Sequence, residues 1–320
     1  MDTQLHSACL IALRDCMGVQ PAEKILVITD EPLRNIGYAL WHAAKELGND
    51  VLLVEILPRK SNGEEPPVEV AELMKKFDVV MCPTSRSLTH TDSRRTASVQ
   101  GVRIATLPGV TEEIMIRCMN ADYIRIAERT LRLCELLDKA DIVRVKASAG
   151  TDIILPKKGR KAHASSGLFR DKGQSGNLPT GEAYLAPLEG QSNGVVVVDG
   201  SIAMIGMVKE PVKIVVKDGY ADEISGGKEA KQLIDLLEPH GKEARNVAEF
   251  GIGTNDKAIL SGLILEDEKV MGTIHIAFGD NKSMGGSVRV ASHLDGLIKE
   301  PTVWFDGTMI MRDGKFVVAV

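Results

Sequence analysis

The feature that most constrains the fold is an alternation of strand and helix patterns over the first part of the chain. The apolar run KILVIT at 24–29 predicts a buried strand, and the stretch at 33–48 has helical spacing and ends at a glycine. A second apolar run follows at 50–56, and the same order repeats along the chain. Because parallel strands need crossover connections, this alternation predicts βαβ units around a parallel sheet.

The pattern changes near residue 141, where strand-like runs lie closer together and Gly-containing turns join many of them. Such spacing is typical of hairpins and antiparallel pairing. One clear helix pattern interrupts them, at 227–241. We therefore expect two domains. The first, at 1–140, would be an α/β, Rossmann-like domain with a parallel sheet, and the second, at 141–320, an α+β, largely antiparallel domain.

Composition excludes several classes of partner. The net charge is −5, aromatic residues make up 4% of the chain, and the basic run at 157–161 is typical of a solvated hairpin turn, so we expect no nucleic-acid partner. No apolar run has the length of a membrane span, and the N-terminal segment is too charged for a signal peptide. Five scattered cysteines without a CxxC pair fit reduced thiols. We expect a cytoplasmic protein with no membrane partner.

The unusual polar residues concentrate in the predicted second domain. Glu182 is the single charge in GNLPTGEAYLAP, where turn residues precede it and a strand pattern follows. His275 lies within the apolar strand pattern GTIHIAFG. His293 and Asp295 are two residues apart, so on a strand both side chains share one face. Each signal alone is weak, because a strand histidine is usually a core residue and a turn glutamate usually faces solvent.

Two more glutamates complete the set. Glu249 precedes a Gly-x-Gly turn in AEFGIGTN, and Glu268 lies upstream of His275 in LEDEKVMGTIH. The Gly-x-Gly is not a dinucleotide loop, since Asp256 stands where the last glycine of that motif belongs. Mixed carboxylate and imidazole ligands suit Zn, Mn, Co or Fe, and the candidate ligands outnumber those of one tetrahedral site. A two-metal site with a bridging carboxylate is the economical interpretation.

The motifs NLPTGEAYLAP, AEFGIGTN, DEKVMGTIHIAFG and SHLDG, in this order, resemble the thermophilic metallo-aminopeptidases of peptidase family M29, the aminopeptidase T and aminopeptidase S type. The resemblance covers most of the predicted second domain. It implies a homo-oligomeric hydrolase that releases N-terminal residues from short peptides through a metal-bound hydroxide. It also implies two divalent ions, Zn, Co or Mn, in each chain.

The resemblance also implies a role for each ligand. The metal ligands would be Glu182, Glu249, His275, His293 and Asp295. Glu249 would bridge the two ions. Glu182 and His275 would complete one of them, and the His293–Asp295 pair would complete the other.

Two departures leave a second resemblance open. The chain is shorter than the family peptidases, and the segment between His275 and His293 lacks the tyrosine that the peptidases have there. Short members of the superfamily resemble iron-dependent 2,5-dihydroxypyridine dioxygenases, which would hold Fe(II) and open a hydroxylated ring. The stretch SRSLTHTDSRRTASVQG resembles those short members, in which His90 would handle the substrate. Alternatively, His90 is a polar residue at a helix N-terminus.

The predicted catalytic residues are Glu249, Glu268 and His90, where Glu268 is the nearest equivalent of a further glutamate in the M29 site. Three other histidines have no candidate ligands around them in the sequence: His6, His42 and His163. The loop TDEPLRN after the first strand lacks the glycines that a pyrophosphate needs, so we expect no nucleotide cofactor. A third possibility is a catalytically silent relative that binds metal or a small molecule.

Overall fold

The computed structural model describes residues 2–320 and divides the chain into two compact units. The first unit comprises the residues up to Arg125 together with Gly167–Thr180, and the second comprises Ile126–Ser166 and Gly181–Val320. The predicted boundary at 140 stays a prediction; the chain leaves the first unit after Arg125 and returns to it once, at Gly167–Thr180. Local sequence periodicity does not predict that a later segment of the chain belongs to the first unit.

Alternating strands and helices build the N-terminal part of the chain. They are α1 Thr3–Leu10, β1 Lys24–Asp30, α2 Arg34–Glu46, β2 Asp50–Ile56, α3 Val68–Met74, β3 Val79–Cys82, α4 Asp92–Val99, β4 Arg103–Thr106, α5 Glu112–Met119 and α6 Tyr123–Lys139. A π-helical segment, Ile11–Cys16, continues α1, and a 3-10 turn, Glu31–Leu33, precedes α2. The division between the two units falls within α6.

Strands dominate the remainder. They are β5 Ile142–Lys146, β6 Asp152–Pro156, β7 His163–Ser165, β8 Ser175–Asn177, β9 Glu182–Leu185, β10 Asn193–Val198, β11 Ser201–Ile202, β12 Gly206–Met207, β13 Val212–Lys217, β14 Tyr220–Ser225, β15 Val247–Gly253, β16 Ile274–Gly279, β17 His293–Ile298, β18 Thr302–Phe305, β19 Thr308–Arg312 and β20 Lys315–Phe316. The helical segments among them are α7 Lys228–Leu237, α8 Ile264–Asp267 and 3-10 turns at Glu238–His240, Lys242–Arg245 and Lys282–Met284.

The first unit is organised around a parallel sheet in the order β2-β1-β3-β4-β8. The apolar runs seen in the sequence become its central strands, with Leu26, Ile28 and Val80 buried in one core. Side chains of α3 and α4 close that core, since Met74 and Ala97 belong to it. Strand β8 lies within Gly167–Thr180 and pairs with β4, which explains why this segment belongs to the first unit.

The second unit contains two largely antiparallel sheets. One has eight strands in the order β14-β13-β10-β6-β5-β18-β19-β20, and the other has seven in the order β12-β11-β17-β16-β15-β9-β7. Their apolar side chains form one shared core, to which α6 and α7 also contribute. A parallel α/β unit and a largely antiparallel α+β unit confirm the predicted fold class.

The seven-stranded sheet has two chemically different faces. Phe250 of β15 and Ile276 of β16 lie in the shared apolar core. Since side chains alternate between faces along a strand, the neighbouring residues Glu249 and His275 face the opposite side. This second face therefore carries the polar residues that the sequence analysis singled out.

In the part of the chain that the structure describes, no helix is long and apolar enough to cross a membrane.

Candidate metal centre

Four adjacent strands of the seven-stranded sheet bring the predicted ligands together. Glu182 opens β9, Glu249 lies on β15, His275 on β16, and His293 and Asp295 on β17. In the antiparallel register, Ala277 of β16 pairs with both Glu249 and Asp295, so these two carboxylates flank the same position of the sheet. Residues separated by up to 113 positions in sequence thus meet on one face because the strands that carry them are neighbours.

Glu249 lies between the two histidines. Its Oε1 is 3.2 Å from His275 Nε2, and its Oε2 is 3.2 Å from His293 Nε2. His293 Nε2 is also 3.5 Å from Asp295 Oδ1, and His275 Nε2 is 3.5 Å from Glu182 Oε2. Both imidazoles therefore direct the same ring nitrogen toward carboxylates.

The side chains form two groups of three whose candidate ligand atoms lie within 4.8 Å of one another. The first group is Glu182, Glu268 and His275, and the second group is Glu249, His293 and Asp295. Glu268 follows α8 and reaches the first group from outside the sheet. The geometry thus places Glu268 beside the predicted ligands. The individual roles of these residues, including the catalytic roles of Glu249 and Glu268, stay predictions.

A buried lysine also enters the centre. Lys269 Nζ donates to Glu182 Oε1 at 2.6 Å and to Glu268 Oε1 at 2.5 Å, and its side chain is only 3% exposed. Burial alone would lower the pKa of Lys269, but the charges of both carboxylates and their hydrogen bonds raise it. The sequence analysis missed this residue. Its adjacency to Glu268 was the available signal.

The ligand atoms strongly perturb one another. Burial would lower the pKa of His275, but the hydrogen bond and charge of Glu249, with the charges of Glu182 and Asp295, raise it to about 9. Burial likewise opposes the charged form of His293, and the nearby carboxylates raise its pKa well above its ordinary value. Burial would raise the pKa of Glu249, but its hydrogen bonds to the two imidazoles lower it. Without a metal, protons on the imidazoles balance the negative charge of the carboxylates.

The loop between the two histidines orients His293. His293 Nδ1 lies 2.8 Å from the backbone carbonyl of Asp280, so the ring can donate there and leave Nε2 free as a ligand atom. Glu189 holds the same loop, because its Oε1 accepts from Asn281 Nδ2 at 2.9 Å and from the Ser287 amide at 2.7 Å. Metal-bound histidines are usually held through the second ring nitrogen in this way.

These features fit a divalent cation. Glu182 Oε2 is buried, lies 3.5 Å from His275 Nε2 and accepts no hydrogen bond from residues 2–320, although burying a carboxylate oxygen without a hydrogen bond is costly. The donor set is carboxylate oxygen and imidazole nitrogen, which suits Fe, Mn, Co and Zn. The residues present can therefore hold a metal ion.

Gly251 makes room for one of the imidazoles. It pairs across the strands with His275, and a Cβ added at Gly251 would lie 2.1 Å from His275 Nε2. Any side chain at this position would force the His275 ring to move. The glycine in the AEFGIGTN motif is thus needed for space rather than for a phosphate-binding turn.

An aromatic pair lies on the same face of the sheet. Tyr184, two residues after Glu182 on β9, pairs with Gly251 on one side and with His163 of β7 on the other. The Tyr184 and His163 rings stack with centroids 5.3 Å apart and planes inclined by 26°. Burial, followed by the charges of Glu182 and Glu249, raises the pKa of Tyr184, so the phenol stays neutral. No partner for His163 was predicted from the sequence, because the pairing of β7 with β9 supplies it.

His90 belongs to the first unit, directly before the N-terminus of α4. Thr91 caps that helix, since its Oγ1 accepts from the Arg94 amide at 3.2 Å. His90 itself is exposed. Its predicted role in handling substrate stays a prediction.

Comparison with known proteins assigns the chain to a family. The model of the NicX family, described as 2,5-dihydroxypyridine 5,6-dioxygenase, matches residues 4–318. The chain belongs to this family. A curated relative, the 2,5-dihydroxypyridine 5,6-dioxygenase of Pseudomonas putida KT2440, is 23% identical over 243 residues, which cover 72% of this chain and 69% of the relative.

Two solved structures share the fold of this NicX-family chain. The 2,5-dihydroxypyridine dioxygenase from Pseudomonas putida KT2440 superposes with a TM-score of 0.86 at 19% identity, covering 100% of this chain and 99% of the other. AmpT from Thermus thermophilus superposes with a TM-score of 0.71 at 17% identity, covering 98% and 99%. The likeness to AmpT shows a shared fold, and the family model and the curated relative both carry the dioxygenase description. The specific assignment to M29 is not confirmed, and the dioxygenase alternative is better supported.

Proposed function

We propose that this chain is an iron-dependent dioxygenase that opens a hydroxylated aromatic ring of the 2,5-dihydroxypyridine type. The observation that carries the proposal is the meeting of His275 and His293 with carboxylates on one face of a sheet in a NicX-family chain. Two histidines and one carboxylate are typical ligands of non-haem Fe(II) oxygenases. His275, His293 and Asp295 would provide that set, with Glu249 between the two rings.

A bound ferrous ion would supply the redox chemistry that allows dioxygen to react with the ring. The protein's own residues would prepare the site for it. The Asp280 carbonyl holds the His293 ring with Nε2 toward Glu249 and Asp295. Glu249, whose pKa is lowered, would stay ionised and offset the charge of the ion.

The aromatic pair on the site face favours a flat substrate. Tyr184 and His163 present stacked rings next to the candidate ligands, and aromatic rings pack well against one another at such separations. The neutral Tyr184 phenol could also donate a hydrogen bond to an oxygen of a hydroxylated ring. A dihydroxylated pyridine or phenol would satisfy both features.

The test is turnover of 2,5-dihydroxypyridine by protein reconstituted with Fe(II). We expect loss of the ring absorbance with uptake of one dioxygen per ring opened, and incorporation of both atoms of ¹⁸O₂ into the product. His293→Ala should abolish the reaction. His240→Ala is the matched control, because His240 is an exposed histidine in a 3-10 turn. Intact substrate and no oxygen uptake by the iron-loaded wild-type protein would refute the proposal.

A second candidate function is an aminopeptidase of the M29 type. The observation that favours it is the presence of two groups of three ligands, enough for two ions with Glu249 between them. The fold shared with AmpT supports the same candidate. It predicts release of p-nitroaniline from an aminoacyl p-nitroanilide by zinc-, cobalt- or manganese-loaded protein, at the same rate with and without oxygen. The dioxygenase predicts no such release.

A further inference from the structure

The ammonium group of Lys269 occupies a position that a cation would otherwise take. Its Nζ lies within hydrogen-bond distance of two carboxylates, Glu182 and Glu268, and its side chain is almost fully buried. A buried charge is tolerated when it is paired and hydrogen-bonded. The lysine therefore forms an integral part of the centre and is not a surface residue that happens to reach it.

The two carboxylates paired with Lys269 are also two of the three ligands in the first group, Glu182, Glu268 and His275. An ion bound by this group would need the oxygen lone pairs that the ammonium now uses. It would also bring a double positive charge next to the lysine charge inside a buried site, where charges repel more strongly than in water. The lysine and a metal ion therefore compete for the same two carboxylates.

The second group has a different environment. Among the described residues, the ion pairs of Glu249 and Asp295 are formed with His275 and His293, and no lysine or arginine lies within ion-pair distance of either carboxylate. An imidazole nitrogen is itself a metal ligand, whereas the Lys269 ammonium has no lone pair to offer and occupies the carboxylate oxygens that it contacts. The two groups thus differ in their ability to accept a cation.

We propose that Lys269 takes the place of a second metal ion, so that the centre accepts a single ion on the side of Glu249, His293 and Asp295. His275 would be its further ligand, since its Nε2 lies 3.2 Å from Glu249 Oε1. This inference rests on the proposed function and deepens it, since a single ion suits an oxygenase and a pair suits a hydrolase. Lys269 would then be the residue that makes this set of ligands suit an oxygenase rather than a two-metal hydrolase.

The test is Mn²⁺ titration of metal-free protein, followed by elemental analysis and by the electron paramagnetic resonance signal of the bound ion. Wild type should bind about one equivalent and give the signal of an isolated Mn²⁺. Lys269→Met should bind about two equivalents, because Glu182 and Glu268 lose their counter-ion, and should show a spin-coupled pair. Lys269→Arg, which keeps the cation, should bind one. Lys257→Met is the matched control, since Lys257 is exposed, and it should also bind one.

Two results would overturn the inference. One is a spin-coupled pair in the wild-type protein, which can be observed even if Lys269→Met does not fold. The other is a folded Lys269→Met variant that still binds a single ion. The titration uses no substrate, so its outcome is separable from that of the proposed function. Suppose that wild type binds one ion, Lys269→Met binds two, and the iron-loaded protein opens no ring. The inference about Lys269 would then hold, and the proposed dioxygenase function would be refuted.

Discussion

Replacing Gly251 with alanine tests whether the site face of the seven-stranded sheet is shaped around His275. The added Cβ would lie 2.1 Å from His275 Nε2 and 2.2 Å from Cε1. The ring must therefore move by roughly 1.3 Å to reach an ordinary contact of 3.4 Å. The backbone itself accepts alanine, because Gly251 lies within β15 and does not have a positive φ.

We expect Gly251→Ala to lower both the stability of the fold and the affinity for metal. Overpacking of this kind typically lowers the free energy of unfolding by about 1–3 kcal/mol. Displacing the His275 ring should weaken metal binding by about 10- to 100-fold, the usual effect of disturbing groups that orient metal ligands. We would measure the dissociation constant by competition with a chromophoric chelator, and stability by urea unfolding of the metal-free protein.

Gly176→Ala provides the matched control. Its added Cβ would lie 2.5 Å from Phe169 Cζ, so the variant also presses a methyl group against a ring, but in the first unit and on an apolar partner. We expect a similar loss of stability and unchanged metal affinity. If Gly251→Ala binds metal as tightly as the wild-type protein, the glycine is not needed to make space for His275 and the reasoning is refuted.

Four further predictions concern the same centre. Metal affinity should rise with pH up to at least about 9, because the pKa of His275 is about 9 without metal, that of His293 is also raised, and the ion binds only the neutral rings. Isothermal titrations in buffers of different ionisation enthalpy would also detect the released protons. The raised pKa of His275 stabilises the metal-free protein fully below its ordinary value of 6.5, and that stabilisation should be lost as the pH rises to about 9. Glu189→Ala should weaken metal binding less than Gly251→Ala does, since it loosens the loop but leaves the His293 contact available, and the chelator competition would show this. Tyr184→Leu should raise KM for the aromatic substrate and leave metal affinity unchanged, in steady-state kinetics on the iron-loaded protein.

The fold class was predictable because each unit repeats one local pattern. Buried runs separated by helical spacing identify a parallel sheet, and closely spaced strands with glycine turns identify antiparallel pairing. The return of the chain through Gly167–Thr180 was not predictable, since β8 is only three residues long and finds its partner β4 through tertiary structure. Long-range pairing of a short strand carries almost no local signal.

The candidate ligands were predictable as residue types in motifs, and their meeting follows from the sheet order. The interactions that distinguish the two ligand groups were not predictable. Lys269 reaches Glu182 across 87 positions in sequence, and the Asp280 carbonyl that orients His293 belongs to the backbone. The stacking of His163 on Tyr184 likewise depends on the register of β7 against β9. Such contacts become visible only when the strands are placed side by side.

The most direct test of the account is the metal content of the chain purified without oxygen and without chelator, measured by elemental mass spectrometry. The account predicts about one equivalent of iron per chain. Two equivalents of zinc, cobalt or manganese would contradict it and favour the aminopeptidase. A chain that neither contains metal nor takes it up would contradict both, and would leave Glu182, Glu249, His275, His293 and Asp295 as a polar cluster without a cation.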